Sequence, residues 1–280
     1  MNMFISPMLL EYAADNKPFN SEDYITELKL DGIRLIATKI NDRVRLYTRH
    51  NNEITANFPE LVDDIYANVP DGTILDGELI VTGIDGKPDF EAMMERFKSR
   101  KSKHKATFCV FDIVKYNKKD MNNLPLIVRK GALETAFSDT SNMVKSKFIH
   151  GNAEKYFELV KSQQLEGIVM KRSDSKYEID KRSANWKKVI AYDMDEFYIA
   201  GYKRDEFGWL LSDGEKILGV MELGVGEKER KAGYKIFQQL KTGENNKTVY
   251  IKPVIKVVVK FRGYYKSGML RLPVFEHFKV

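Results

Sequence analysis

At 280 residues, 43% of them hydrophobic and 31% charged, the chain has the size and composition of one large or two ordinary soluble domains. No apolar run approaches the length of a membrane span, and Met1-Asn2-Met3-Phe4-Ile5-Ser6-Pro7 lacks the charged head and apolar core of a signal peptide, so a cytoplasmic location is expected. The formal net charge is +6, and sixteen Lys/Arg against twelve Asp/Glu from Asp193 onward put +4 of it in the last third, a balance compatible with a polyanionic partner.

The single cysteine, Cys109 in Phe108-Cys109-Val110-Phe111, excludes an intramolecular disulfide and a thiolate zinc site, and reads as a small buried hydrophobe. His50, His104, His150 and His277 are scattered without metal-ligand spacing. A metal, if used, is then a hard cation held by carboxylates and substrate phosphates, which points to magnesium.

In chain order, Met8 to Ala14 reads as a short helix. Lys29 follows at the end of an apolar strand, and Asp31-Gly32 predicts a hairpin-like turn into a second strand from Ile33 to Ile40. The strand Val44 to Thr48 ends in the polar cluster Arg49-His50-Asn51-Asn52. Helical spacing covers Phe58 to Asn68, and Thr73 to Val81 is a strand interrupted by Asp76-Gly77-Glu78. Asp89 to Lys98 reads as helix, Ala106 to Val114 as strand, Arg129 to Phe137 and Ala153 to Gln164 as helices, and Ile168 to Lys171 as strand. Beyond Tyr192 the pattern turns to short β-rich segments with one helix near Lys228 to Leu240, which suits a small barrel.

A lysine between apolar neighbours at a strand end is where an amine can be desolvated into a nucleophile; it is equally a common place for a solvated turn lysine. The motifs taken together decide. Pro7-Met8-Leu9, Lys29-x-Asp31-Gly32-x-Arg34, Arg49 with Thr55, Asp76-Gly77-Glu78, Phe111-Asp112, Glu166-Gly167-Ile168-Val169-Met170-Lys171, Arg182-Ser183 with Trp186 and Lys188, and Leu270-Arg271-Leu272-Pro273-x-Phe275 run in order over nearly the whole chain. This series resembles the ATP-dependent DNA ligases of the lysine-nucleotidyltransferase superfamily, in their compact phage or prophage-like form.

The resemblance implies an α+β fold of two domains: an antiparallel-sheet, ATP-grasp-like nucleotidyltransferase (adenylation) domain over 1–192, then a small OB-fold β-barrel over 193–280. It implies ATP and Mg2+ (or Mn2+) as cofactors. The substrate would be nicked double-stranded DNA, sealed between 5′-phosphate and 3′-hydroxyl by a monomer in a bacterial or phage-infected cytoplasm, with no membrane partner. Lys29 becomes the candidate nucleophile that carries AMP. Its free pKa of about 10.4 would have to fall, through nearby cations and desolvation.

The other roles follow in the same way. Glu27 shares a sheet face with Lys29 and is implied to read the adenine amino group; by position alone it is as readily a surface carboxylate. Arg34 and Arg49 would bind phosphate through paired guanidinium donors, although surface ion pairs are the commoner fate of arginine. Glu78 is implied to touch ribose or metal, and Glu166 to hold metal. Phe111, which alone reads as core, is implied to stack on adenine, and Arg182 and Lys188 to contact nucleotide. The family's second fifth-motif lysine falls on Ile190; Lys187 lies on the opposite strand face, and Lys171 either supplies the missing charge or is solvated.

The chain ends at Val280 without the Arg-x-Asp-Lys of capping enzymes, which favours a ligase and leaves Arg271 as a candidate for orienting pyrophosphate. An RNA ligase or capping guanylyltransferase shares Lys-x-Asp-Gly, and a non-catalytic OB-type nucleic-acid-binding protein is the remaining alternative. The segments Arg96 to Lys105 and Lys241 to Lys247 are the basic stretches expected to grip DNA phosphates, or else to be solvated loops.

Overall fold

The computed structural model describes residues 4–279. Met1 to Met3 and Val280, on which the readings of chain start and chain end rest, lie outside the described residues. The chain divides into two compact units, residues 1–191 and 192–280.

The first unit runs β1 (Leu9–Tyr12), β2 (Tyr24–Leu28), β3 (Ile33–Ile40), β4 (Arg43–Thr48), α1 (Pro59–Asn68), β5 (Thr73–Val81), α2 (Phe90–Lys98) and β6 (Ala106–Tyr116). It continues through β7 (Lys119–Asp120), α3 (Leu126–Ala136), β8 (Met143–Lys145), β9 (Phe148–His150), α4 (Ala153–Ser162), β10 (Gly167–Arg172) and β11 (Arg182–Ile190). Among the described residues these strands form a five-stranded sheet, β1-β11-β10-β2-β9, and a six-stranded sheet, β4-β3-β5-β6-β7 with β8 on β6. Most neighbouring pairs are antiparallel; β1–β11 and β6–β8 are parallel.

Three apolar clusters stack these layers. On one face of the six-stranded sheet, Leu35, Leu46, Leu75 and Phe108 meet Leu61 and Ile65 of α1, Met93 of α2 and Leu133 of α3. Between the two sheets lie Met8, Ile36, Tyr47, Ile74, Val114, Tyr177 and Trp186. Ala153, Phe157 and Val160 of α4 cover Ile168, Met170 and Val189 on the far face of the five-stranded sheet. Burying each large apolar side chain contributes roughly 1.5–3 kcal/mol. Cys109 belongs to this interior, and burial pushes its thiol up to about 12, so it is the inert hydrophobe expected.

Two local expectations are corrected. Met8 to Ala14 is not a helix: Leu9–Tyr12 is an edge strand parallel to β11, followed by a short 3-10 turn at Ala14–Asn16. A distant strand supplies the hydrogen bonds that local periodicity cannot foresee. Nor does Asp31-Gly32 close a hairpin, because β2 belongs to the five-stranded sheet and β3 to the six-stranded one. The connection changes sheets, and Gly32 is needed there because a Cβ would collide with the Leu79 carbonyl of β5.

The second unit contains β12 (Asp193–Lys203), β13 (Trp209–Ser212), β14 (Ile217–Met221), α5 (Glu227–Phe237), β15 (Lys241–Glu244), β16 (Thr248–Phe261) and β17 (Val274–Phe278). Its sheet runs β14-β13-β12-β16-β15 with β17 on β16, around a core of Trp209, Phe237, Val257, Val259 and Phe275. Among the described residues β14 and β15 form no ladder that closes the sheet, so the expected closed barrel is not found. The mixed α/β architecture with antiparallel sheets is.

Candidate active site

The change of sheets after β2 puts Lys29 at the mouth of a cleft between the two sheets of the first unit. From the five-stranded side the cleft is lined by Glu27, Lys29, Val169, Lys171 and Trp186; from the other by Arg34, Glu78 and Phe111. The Lys29 backbone N–H donates to Gly167 O at 2.9 Å, continuing the β2–β10 pairing by one residue. Its ammonium lies 2.8 Å from Glu166 Oε1, and Glu166 is nearly enclosed while Lys29 keeps 20% of its side chain open. Gly167 has φ +146°, and a Cβ there would strike the Val189 carbonyl, so glycine is required beside Glu166.

Glu27 is buried at 2% exposure and gripped from two directions. One oxygen accepts from Lys130 Nζ of α3, a residue outside every motif of the sequence series. The other lies 2.6 Å from Lys171 Nζ of β10, an approach too oblique for an aligned hydrogen bond and therefore an ionic contact. Lys171 is not solvated: its ammonium sits 4.1 Å from the Phe111 ring centroid and 4.2 Å from that of Trp186, both cation–π distances. Burial pushes Lys171 down to about 8, against the pull of Glu27 in the other direction.

Across the cleft Arg34 is committed to Asp76, with Nε–Oδ1 at 2.5 Å and Nη2–Oδ2 at 2.6 Å, and it donates to Met8 O at 3.2 Å. Tyr177 donates its hydroxyl to the same carboxylate at 2.6 Å. Asp76 of the Asp-Gly-Glu motif is thus the anchor of Arg34, whose guanidinium carbon stands 4.6 Å from the Phe111 centroid. Glu78, opposite Arg34 in the β3–β5 register, has its carboxyl pushed up to about 7, by burial first. Lys29 and Arg34 pull it down, while Glu166 and Asp76 add to the rise. Two carboxylates thus feel each other around Lys29.

Phe111 turns an edge to Trp186, with centroids 6.2 Å apart; it packs on the core between the sheets and also forms part of the cleft wall. The next residue, Asp112, is structural: Arg129 of α3 grips it through two 2.8 Å bonds, with both side chains fully buried.

Lys188 lies in register with Val169, itself opposite Glu27, and its ammonium stacks 4.0 Å over the Tyr12 ring. Ile190 is buried and its backbone is fastened to the Asn16 side chain by two hydrogen bonds of 2.8 and 2.9 Å, which leaves no place for a charged group. The cationic partner in the cleft is Lys171 instead, with Lys130 behind the lining on the other oxygen of Glu27. Arg182 is exposed at the start of β11 and donates to the Leu10 carbonyl, joining β11 to β1. Arg49 is exposed in the turn after β4, outside the cleft lining, and Thr55 Oγ1 bonds Leu46 N and Glu53. In the second unit Arg271 exchanges backbone hydrogen bonds with Arg262 and Gly263.

Among the described residues no group of three or more His, Cys, Asp or Glu could hold a metal unaided. Glu78 and Glu166 are an all-oxygen pair, fit for a hard cation only where substrate phosphates complete its shell. Arg96 falls in a segment expected to grip DNA, but its side chain is committed elsewhere. It is 5% exposed, bonded to Glu60 Oε1 at 2.7 Å and Asn57 O at 2.9 Å, and stacked on Phe58. The exposed cations of that segment are Lys98, Arg100, Lys101, Lys103 and Lys105. In the other segment Lys241 is paired with Glu244 at 2.7 Å.

Known proteins give this arrangement a family. Residues 7–189 match the family model described as ATP dependent DNA ligase domain. The SPbeta prophage-derived DNA ligase-like protein LigB of Bacillus subtilis (strain 168) is 46% identical over 280 residues, covering 99% of this chain and 100% of the relative. The multifunctional non-homologous end joining DNA repair protein LigD of Mycobacterium tuberculosis (strain H37Rv) is 25% identical over 289 residues, covering 95% of this chain but 37% of that longer protein. Among solved structures, mycobacterial DNA ligase D complexed with ATP and MES has the same fold at TM-score 0.62 and 23% identity, covering 98% of this chain and 95% of that one. A Lig E DNA ligase structure reaches TM-score 0.70 at 19% identity, covering 99% of this chain and 100% of that one. The family match takes in both sheets that wall the cleft, and a relative nearly half identical matches end to end: the chain belongs to the ATP-dependent DNA ligase family.

Proposed function

We propose that this ATP-dependent DNA ligase seals 5′-phosphate/3′-hydroxyl nicks in duplex DNA through two transfers of one AMP group and its final release, with Lys29 as its carrier. The observation that carries the reading is Lys29 at the mouth of a two-sheet cleft, 2.8 Å from Glu166 and facing Glu78. Its amine, once deprotonated, attacks the α-phosphorus of ATP; an N–P bond forms and pyrophosphate leaves. The DNA 5′-phosphate then attacks the same phosphorus, breaking the N–P bond and making a pyrophosphate link to DNA. Finally the 3′-hydroxyl attacks the 5′-phosphate and AMP leaves. Covalent catalysis divides one difficult displacement into easier ones.

The 2.8 Å ion pair with Glu166 fixes the position of the Lys29 ammonium at the mouth of the cleft. Glu27 reads the adenine amino group and Phe111 stacks on the base. Arg34, with Nε and Nη2 held by Asp76, keeps Nη1 for phosphate. Lys171 and Lys188 supply positive charge from the neighbouring strands, and Arg49 and Arg182 contribute from the surface. Glu78 and Glu166 would hold Mg2+ together with phosphate oxygens; such a cation neutralises phosphate charge and steadies the departing pyrophosphate.

The second unit is an OB-type module with an open sheet. The protein works as a monomer, and exposed lysines such as Lys101, Lys103 and Lys105 meet DNA phosphates without reading sequence. The test is sealing of a singly nicked duplex with ATP and Mg2+, run beside GTP and beside strands carrying RNA at the nick. Joined DNA with ATP alone is expected; label transferred to the protein from GTP instead would overturn the reading.

A further inference from the structure

Each oxygen of the Glu27 carboxylate faces a different lysine, and the two lysines come from different layers. Lys171 is on β10, the strand beside Glu27, and it lines the cleft. Lys130 is on α3, a helix that packs on the six-stranded sheet, and it lies outside the lining. Lys130 is 3% exposed, donates to Glu27 Oε1, and stands 5.4 Å from the ring of Phe148, the residue opposite Glu27 in the β2–β9 register. One glutamate balances only one of the two cations. A third buried charge is costly to desolvate, and its presence calls for a use.

We propose that Lys130 is a positioning residue for nucleotide choice: from behind the cleft it fixes the Glu27 carboxylate so that its remaining lone pairs meet a donor at position 6 of a purine. This rests on the reading that Glu27 touches the base. A carboxylate between two ammonium groups accepts hydrogen bonds and does not donate them. It therefore favours the 6-amino group of adenine and opposes the 6-oxo group of guanine, whose lone pairs would face it. With Lys171 alone the carboxylate is tied at one point, by an oblique contact, and is free to rotate toward that lysine. Lys130 supplies the second point. Lys130→Met leaves a charge-balanced Glu27–Lys171 pair, so the variant keeps the means to fold.

The experiment compares lysyl-nucleotide formation from ATP and from purine riboside 5′-triphosphate, which lacks the 6-amino group, in the wild type, K130M, K130R and E27A. The readout is the ratio of the two values of kcat/KM, which general damage to the cleft lowers in numerator and denominator alike. A charge-assisted hydrogen bond that is lost or misaimed is worth on the order of tenfold or more. The preference for ATP should fall by about that factor in K130M and in E27A, and be kept in K130R. If E27A loses the preference and K130M keeps it, Glu27 reads the base without help from Lys130 and the proposal is wrong. If E27A keeps the preference, the base-reading role of Glu27 itself fails.

Discussion

On the six-stranded sheet of the first unit, the buried carboxylates are paired through guanidinium. Arg34 and Arg129 each grip one carboxylate, Asp76 and Asp112, through two bonds of 2.5–2.8 Å. Where the five-stranded sheet faces it across the cleft, charge is paired through ammonium: Lys29 with Glu166, and Lys171 with Glu27. A bidentate fork fixes both distance and plane, whereas an ammonium is a point charge whose partner can be exchanged. The six-stranded side therefore holds its arginines in fixed positions, and the five-stranded side holds ion pairs that substrate can displace. The proposed AMP carrier, Lys29, is on the ammonium side.

Breaking each kind of pair should separate activity from stability. Lys29→Ala removes the proposed carrier and should abolish AMP transfer in a label-retention assay, with the thermal transition still cooperative. Asp112→Ala strands the buried Arg129 charge and should lower stability by about 3–5 kcal/mol in a denaturant titration. If Asp112→Ala instead left stability unchanged and removed only adenylation, the division between scaffold and chemistry would be wrong.

Lys171 gives the pH test. Its folded pKa, about 8, lies below the ordinary lysine value, so between about 8 and that value the unfolded chain binds more protons. Stability should therefore rise with pH through that window, as the cost of burying the ammonium is relieved. Lys171→Met should flatten that rise; a rise that persists belongs to other groups. The smallest effect is expected at the surface. Changing Lys101, Lys103 and Lys105 to Ala should lower the salt slope of nick binding by up to about 0.9 for each DNA phosphate that is no longer neutralised. Arg96→Ala should cost stability and leave that slope alone, because Arg96 is bound to Glu60 and Asn57.

Much of this can be read in the sequence, for identifiable reasons. Strand and helix spans such as Thr73–Val81 and Pro59–Asn68 follow from local periodicity, and Lys29 and Glu166 from motif spacing. The failures are non-local. Leu9–Tyr12 is a strand because β11 pairs with it, and Asp31-Gly32 crosses between sheets because Leu79 lies where a hairpin partner is expected. Lys130 carries no motif signal, since its role depends on which sheet α3 covers. Arg96 is readable: it follows Ala92 and Met93 by four and three residues, on the buried stripe of α2.

The most direct measurement is to incubate the protein with ATP labelled at the α-phosphate and to map the labelled residue by mass spectrometry before and after adding nicked duplex. AMP on Lys29 that disappears as the nick is sealed is the expected result. AMP on another residue, or AMP on Lys29 that nicked DNA cannot remove, would contradict it.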